Sequence, residues 1–190
     1  MPRHRSPLSL EYILLGLLNQ NPVHGYDLYK NILHLEGISL VWHIKQSQLY
    51  ALLDKLEAGG LLNSRLLPGE AHPARKEYRI TITGKEALYA WRASPVSHGR
   101  DMRQEFLAKL YFAQQAGRRV GLDLIEAQKQ TCQVWLADLQ AGYSSQADGQ
   151  LYARMVLRYR LSQTKAMLEW LDFCRDEIQA QSEINRSSET

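Results

Sequence analysis

The sequence predicts a mainly α fold with one small β-hairpin, and three observations carry that expectation. Apolar residues recur at helical spacing through most of the 190 residues. Period-two alternation is confined to a short stretch near residues 76–82, where Tyr78, Ile80 and Ile82 alternate with Arg79 and Thr81. Asn21-Pro22, Gly37 and Gly59-Gly60 punctuate the first three helical segments with residues that end helices.

Taken in order, the first helix starts near Ser6-Pro7, an N-cap followed by proline in the first turn, and runs through LSLEYILLGLL to Asn19. The second, HGYDLYKNIL, begins at about Gly25 and stops at Gly37. The third is KQSQLYALLDKLEAGGLL, in which Leu49, Leu52, Leu53 and Leu56 fall at i, i+3, i+4 and i+7 and make a face for burial. Ser47 and Ala51 point nearly the opposite way, flanked by Gln48, Tyr50 and Lys55, and the first acid is Asp54. Two strands follow, LLNSRLL and KEYRITI, joined by the turn-rich PGEAHPA. TGKE then reads as a capping box, with Thr83 bonding the Glu86 amide, and opens a helix through Trp91.

Three helices and a hairpin in this order imply a winged helix-turn-helix, whose third helix is the one presented to the major groove. Base edges there are matched by polar side chains such as Gln46, Ser47, Gln48 and Tyr50. Polar residues at a helix start also serve as simple caps, and Tyr50 could pack as a rim residue on the wing. Arg65, Arg75, Lys76 and Arg79 lie on or beside the hairpin, where phosphates would be neutralised. Charge supports the placement. Residues 1–92 hold eleven Lys or Arg against eight Asp or Glu, while residues 93–190 hold twelve of each, so the basic excess lies in the first half, at PRHR (2–5) and RKEYR (75–79).

RASPVSHG, residues 93–99 with Arg92 before them, reads as a linker. Beyond it the pattern is helical over 100–182, with 183–190 as a disordered tail. Leu122, Ile125, Cys132, Leu136 and Leu139 follow a three-four spacing interrupted at Lys129, and Leu157, Leu161, Thr164, Leu168 and Leu171 repeat it after Asp148-Gly149. The two helices could pair with each other. Leu124, Trp135, Tyr152, Val156 and Tyr159 add apolar surface on other faces, more than a hairpin can cover, so a second copy of the chain is expected on this half. The candidate dimerisation residues are Leu122, Ile125, Leu136, Leu157, Leu161, Leu168 and Leu171.

LEYILLGLL, HGYDLYKNI, QSQLYALLDKLEAGGLL and KEYRITITGKEAL, in this order and spacing, resemble the PadR-type transcriptional regulators, which are dimeric winged-helix repressors. The match spans roughly residues 8–92. DMRQEFLAKLYFA, residues 101–113, is similar to the start of the virulence-activator-type C-terminal domain of longer members. The resemblance implies DNA-facing roles for Gln46, Ser47, Gln48 and Tyr50, with Tyr26 and Tyr78 as further motif tyrosines. With Lys45 and the wing cations Arg65, Arg75, Lys76 and Arg79, these form the candidate DNA-binding set. The wing tip departs from many members by carrying Glu70, His72 and Pro73. Some relatives respond to aromatic or drug-like molecules, so a small-molecule effector is a further expected partner beside double-stranded DNA and a second copy.

Other classes find little footing. GxGxxG, Walker-type and GxSxG motifs are absent, and the six histidines form no HxxxH or Cys-His spacing, so neither catalysis, a cofactor nor a metal is expected. The apolar run YILLGLL is too short for a bilayer and no cleavage site follows it, which points to a soluble cytoplasmic protein. Cys132 and Cys174, far apart, fit reduced thiols. The rival reading is a winged helix used as a protein-interaction module, which the fold also permits.

Overall fold

The computed structural model describes residues 9–34, 37, 41, 44–68, 75–145 and 150–187. The basic stretch 2–5, the expected helix start at Ser6-Pro7, the wing-tip residues Glu70, His72 and Pro73, and Asp148-Gly149 lie outside them. The chain divides into two compact units, residues 1–93 with 103–112, and residues 94–102 with 113–190.

In the first unit, α1 (Ser9–Leu18) is apolar almost all round, and Leu10, Ile13, Leu14, Leu15, Leu17 and Leu18 are all buried. The short strand β1 (Val23–His24) leads into α2 (Gly25–His34), which buries Leu28 and Ile32. Helix α3 (Gln46–Ala58) buries the expected Leu49, Leu52, Leu53 and Leu56. It ends in a Schellman turn. Gly60 sits at φ 69°, its N–H donates to the Glu57 carbonyl, and the Leu61 N–H donates to the Leu56 carbonyl, each at 3.0 Å. The chain is thereby aimed into β2 (Leu62–Leu67), which pairs with β3 (Arg75–Ile80).

The expected two-stranded hairpin is a three-stranded antiparallel sheet in the order β1-β3-β2, with Val23 opposite Tyr78 and His24 opposite Glu77. A two-residue strand has no alternation to reveal it. The capping box at Thr83 is also corrected. Helix α4 (Ile82–Ala93) is capped by Thr81, whose Oγ1 accepts the Gly84 N–H at 3.0 Å and donates to the Gly60 carbonyl at 2.8 Å. This start places Gly84 against the Leu61 carbonyl, where a Cβ would collide. Thr81 therefore joins the end of α3 to the start of α4.

Residues 103–112 pack with the first unit, although the sequence assigned them to the helical half. They include the first part of α5 (Glu105–Gln115). Phe112 fills the space over Gly16 of α1, where a side chain would collide with its ring. The Trp91 indole N–H donates to Glu105 at 3.1 Å, and Tyr12 stacks on Trp91 with centroids 4.9 Å apart.

In the second unit, α6 (Arg118–Ser144) and α7 (Leu151–Ser187) form an antiparallel hairpin. Gly121 of α6 faces Ile178, Lys129 bonds Asp172 at 2.6 Å, and Gly142 faces Leu157. Helix α7 runs through residues expected to be a tail, as far as Ser187. Nor do residues 94–99 trail as an open linker. Val96 is buried, and the enclosed Gln128 amide accepts its N–H at 2.7 Å and donates to its carbonyl at 3.4 Å.

The seam expected between two copies is filled from within. Ile125, Leu161 and Leu171 are buried inside the single chain because α6 and α7 cover each other, and Leu122, Leu136, Leu157 and Leu168 are half-buried. Leu124 is buried as well. Tyr152, Met155, Val156, Tyr159 and Phe173 stay exposed on α7. Among the described residues, no helix is long and apolar enough to cross a membrane.

Candidate nucleic-acid interface

The N-terminal turn of α3 stands open. Lys45 holds the N-cap position in extended backbone, at φ −82° and ψ 148°, and its side chain makes no cap hydrogen bond. Gln46, Ser47 and Gln48 are exposed, and the first turn has no acid. The N–H groups of such a turn have no intrahelical partner and carry the positive end of the helix dipole, which suits a phosphate or a base-edge acceptor.

Tyr50 is half-buried and packs on Gly25, the first residue of α2, where a Cβ would come within 2.7 Å of its ring. It is therefore seated on α2. Tyr26 is 50% exposed, and the Lys30 ammonium stands 4.6 Å from its ring centroid. A cleft of about 280 Å³ brings Tyr26 and Tyr50 together with Arg75 and Lys76, and is also lined by His24, Gly25 and Tyr78. Tyr78 was expected to face DNA. It is 2% exposed and belongs to the core, so a duplex cannot lie against it, and burial pushes its phenol above the ordinary value.

Strand register sorts the wing cations. Ser64 stands opposite Tyr78 and Leu66 opposite Lys76, so these residues share the face that carries Leu62 and Ile80 into the core. Asn63 opposite Arg79, Arg65 opposite Glu77 and Leu67 opposite Arg75 make the other face. Arg65, Arg75 and Arg79 are exposed there, with an Arg79 nitrogen 3.9 Å from Glu77. Lys76 is on the α3 side, its ammonium 3.4 Å from Glu57.

Several working residues gave no sequence signal. Glu57 receives the Ser64 hydroxyl at 2.5 Å, and Lys55 of α3 bonds the buried Glu11 of α1 at 2.6 Å. Gly25 is needed because Tyr50 lies on it. These contacts join residues of different elements and follow no period.

Comparison with known proteins finds relatives along most of the chain. The model of the "Transcriptional regulator PadR-like family" matches residues 14–90, and that of "Virulence activator alpha C-term" matches residues 102–179. The "Negative transcriptional regulator PadR" of Bacillus subtilis (strain 168) is 30% identical over 174 residues, covering 86% of this chain and 93% of the relative. The crystal structure of Bacillus subtilis PadR in complex with operator DNA is 28% identical, covers 89% of this chain and 98% of its own, and superposes with a TM-score of 0.44. The same protein in complex with p-coumaric acid is 28% identical, covers 90% of this chain and 99% of its own, and gives a TM-score of 0.41. On the sequence matches, this chain belongs to the PadR-like family of transcriptional regulators.

Proposed function

We propose that the protein is a homodimeric, sequence-specific repressor that places the first turns of α3 in the major groove of its operator. The observation that carries this reading is the open start of α3, where Gln46, Ser47 and Gln48 are exposed in a first turn that holds no acid and follows an N-cap residue making no side-chain cap bond. Lys45, Tyr26 and Tyr50 flank that turn, and Arg65, Arg75, Lys76 and Arg79 supply phosphate contacts from the wing. Repression follows the negative regulator of Bacillus subtilis to which the chain is similar.

Dimerisation belongs to the second unit, on the face of Tyr152, Val156 and Tyr159 that a hairpin leaves uncovered rather than on the leucine seam. Tyr152, Tyr159, Ala166 and Phe173 recur every seven residues along α7, with Met155 and Val156 between the first two, and all are exposed in the single chain. A second copy covers this stripe. A small-molecule signal controls the dimer, and the protein acts in the cytoplasm, where its DNA is. Mobility shifts with DNA upstream of its own coding sequence and with scrambled DNA, run across salt concentrations, test the reading. Preference for the upstream duplex that persists as salt rises is expected; equal, salt-sensitive binding to both would leave the winged helix as a protein-interaction module.

A further inference from the structure

Glu57 lies in the last turn of α3 and faces the wing. Its Oε1 accepts the Ser64 hydroxyl from β2 at 2.5 Å, and its Oε2 lies 3.4 Å from the Lys76 ammonium of β3. To reach it, Lys76 passes the Tyr78 ring, 6.0 Å from the centroid. The Ser64 hydrogen bond, with Lys76 adding, holds the Glu57 carboxyl below its usual range, so it is charged at neutral pH. Lys76 is thus the wing cation on the α3 side, and its charge already has a partner. Arg75 on the opposite face has no acid within ion-pair distance among the described residues.

The pair is exposed enough to exchange, with 48% of the Lys76 side chain and 32% of the Glu57 side chain accessible. A phosphate offers Lys76 the same charge-assisted bond together with release of a counterion. The choice then depends on whether a phosphate is held nearby. Base contacts from α3 fix the wing against one phosphate, whereas random DNA is held by diffuse attraction that fixes no register.

We propose that Glu57 is a positioning residue of the DNA interface: it sequesters Lys76, which leaves for a phosphate only when α3 is seated on its cognate site. Non-specific binding is then weaker by one cation per subunit, and specificity rises without any added base contact. The inference rests on the DNA-binding reading above.

The test uses the full chain, a duplex that the wild type selects from a random pool, and a scrambled duplex of the same composition. Glu57→Gln removes the charge and keeps an oxygen to accept the Ser64 hydroxyl, so an unchanged melting curve is expected. Its salt slope on the scrambled duplex should steepen by about two for a dimer, with several-fold tighter binding, while the slope on the selected duplex stays unchanged. Lys76→Met should flatten the slope on the selected duplex by about two and leave the scrambled duplex alone. In the Lys76→Met background, Glu57→Gln should move neither slope. If its effect survives there, or if Glu57→Gln shifts both duplexes equally, Glu57 acts as a general negative charge and the proposal fails. A wild type that selects no duplex at all overturns the DNA-binding reading first, a different result from either.

Discussion

In the first unit Leu15, Leu28, Leu49 and Leu53 have no accessible surface, whereas in the second Tyr152 is 80% exposed, Tyr159 63% and Phe173 58%. Both units are built mainly from amphipathic helices, but the first packs several helices and a sheet around one core and closes it with its own chain. The second is a two-helix hairpin, and a hairpin has only one inside. Each helix hides one stripe against the other, and any further apolar stripe must stay in water or meet another molecule. The first unit should therefore hold its stability whatever the protein concentration. The second should gain stability by mass action from a second copy.

The largest effect should come from breaking the closed core. Phe112→Ala empties the space over Gly16 and should cost about 3–5 kcal/mol, read by chemical denaturation. A cost below about 1 kcal/mol would mean that α5 does not complete the first unit. A chain cut at residue 93 should be crippled for the same reason, whereas one ending after Gln115 keeps Phe112 and should fold as a monomer.

Next comes the open stripe. Tyr152→Glu with Tyr159→Glu should give a folded monomer by sedimentation and lower operator affinity roughly a hundredfold, because two linked half-sites lose their effective concentration. Leu161→Glu makes the contrast sharper. Its side chain lies inside the hairpin, so the charge should unfold the second unit rather than release an intact monomer. A folded monomer from Leu161→Glu and an unaffected dimer from the tyrosine pair would reverse the assignment of the two stripes.

Smaller effects should be confined to DNA and leave both units intact. Gln48→Ala should weaken cognate binding by about 1–3 kcal/mol with little change on random DNA, as measured by titration of both duplexes. An equal loss on both would make Gln48 a backbone contact. Arg75→Ala should reduce the salt slope of a dimer by about two on every sequence, and an unchanged slope would return Arg75 to ordinary surface.

The helices, the wing and the acid-free start of α3 were legible because each is a local pattern: a period, a punctuating glycine, a run of residue types. Leu49, Leu52, Leu53 and Leu56 are buried as their spacing requires. Local patterns also mislead. The TGKE pattern put the cap of α4 at Thr83, whereas Thr81 caps it, with Gly84 closely approaching the Leu61 carbonyl. Tyr78 belongs to the alternating strand and to a family motif alike, but the register that sets it opposite Ser64 puts it in the core.

The sequence by itself determined which segments become helices or strands and which side of each is apolar, since backbone propensity and amphipathic period act between near neighbours. Tertiary structure alone decided which apolar stripe meets which. It turned the Ile125, Leu161 and Leu171 stripe inward and left the Tyr152, Tyr159 and Phe173 stripe bare, a choice between two faces of the same helix that periodicity cannot make. It also gave residues 103–112 to the first unit, paired Val23 with Tyr78 across the sheet, and drew Ser64, Glu57 and Lys76 together. Each of these depends on distances between residues remote in the chain, fixed only when the whole core has packed.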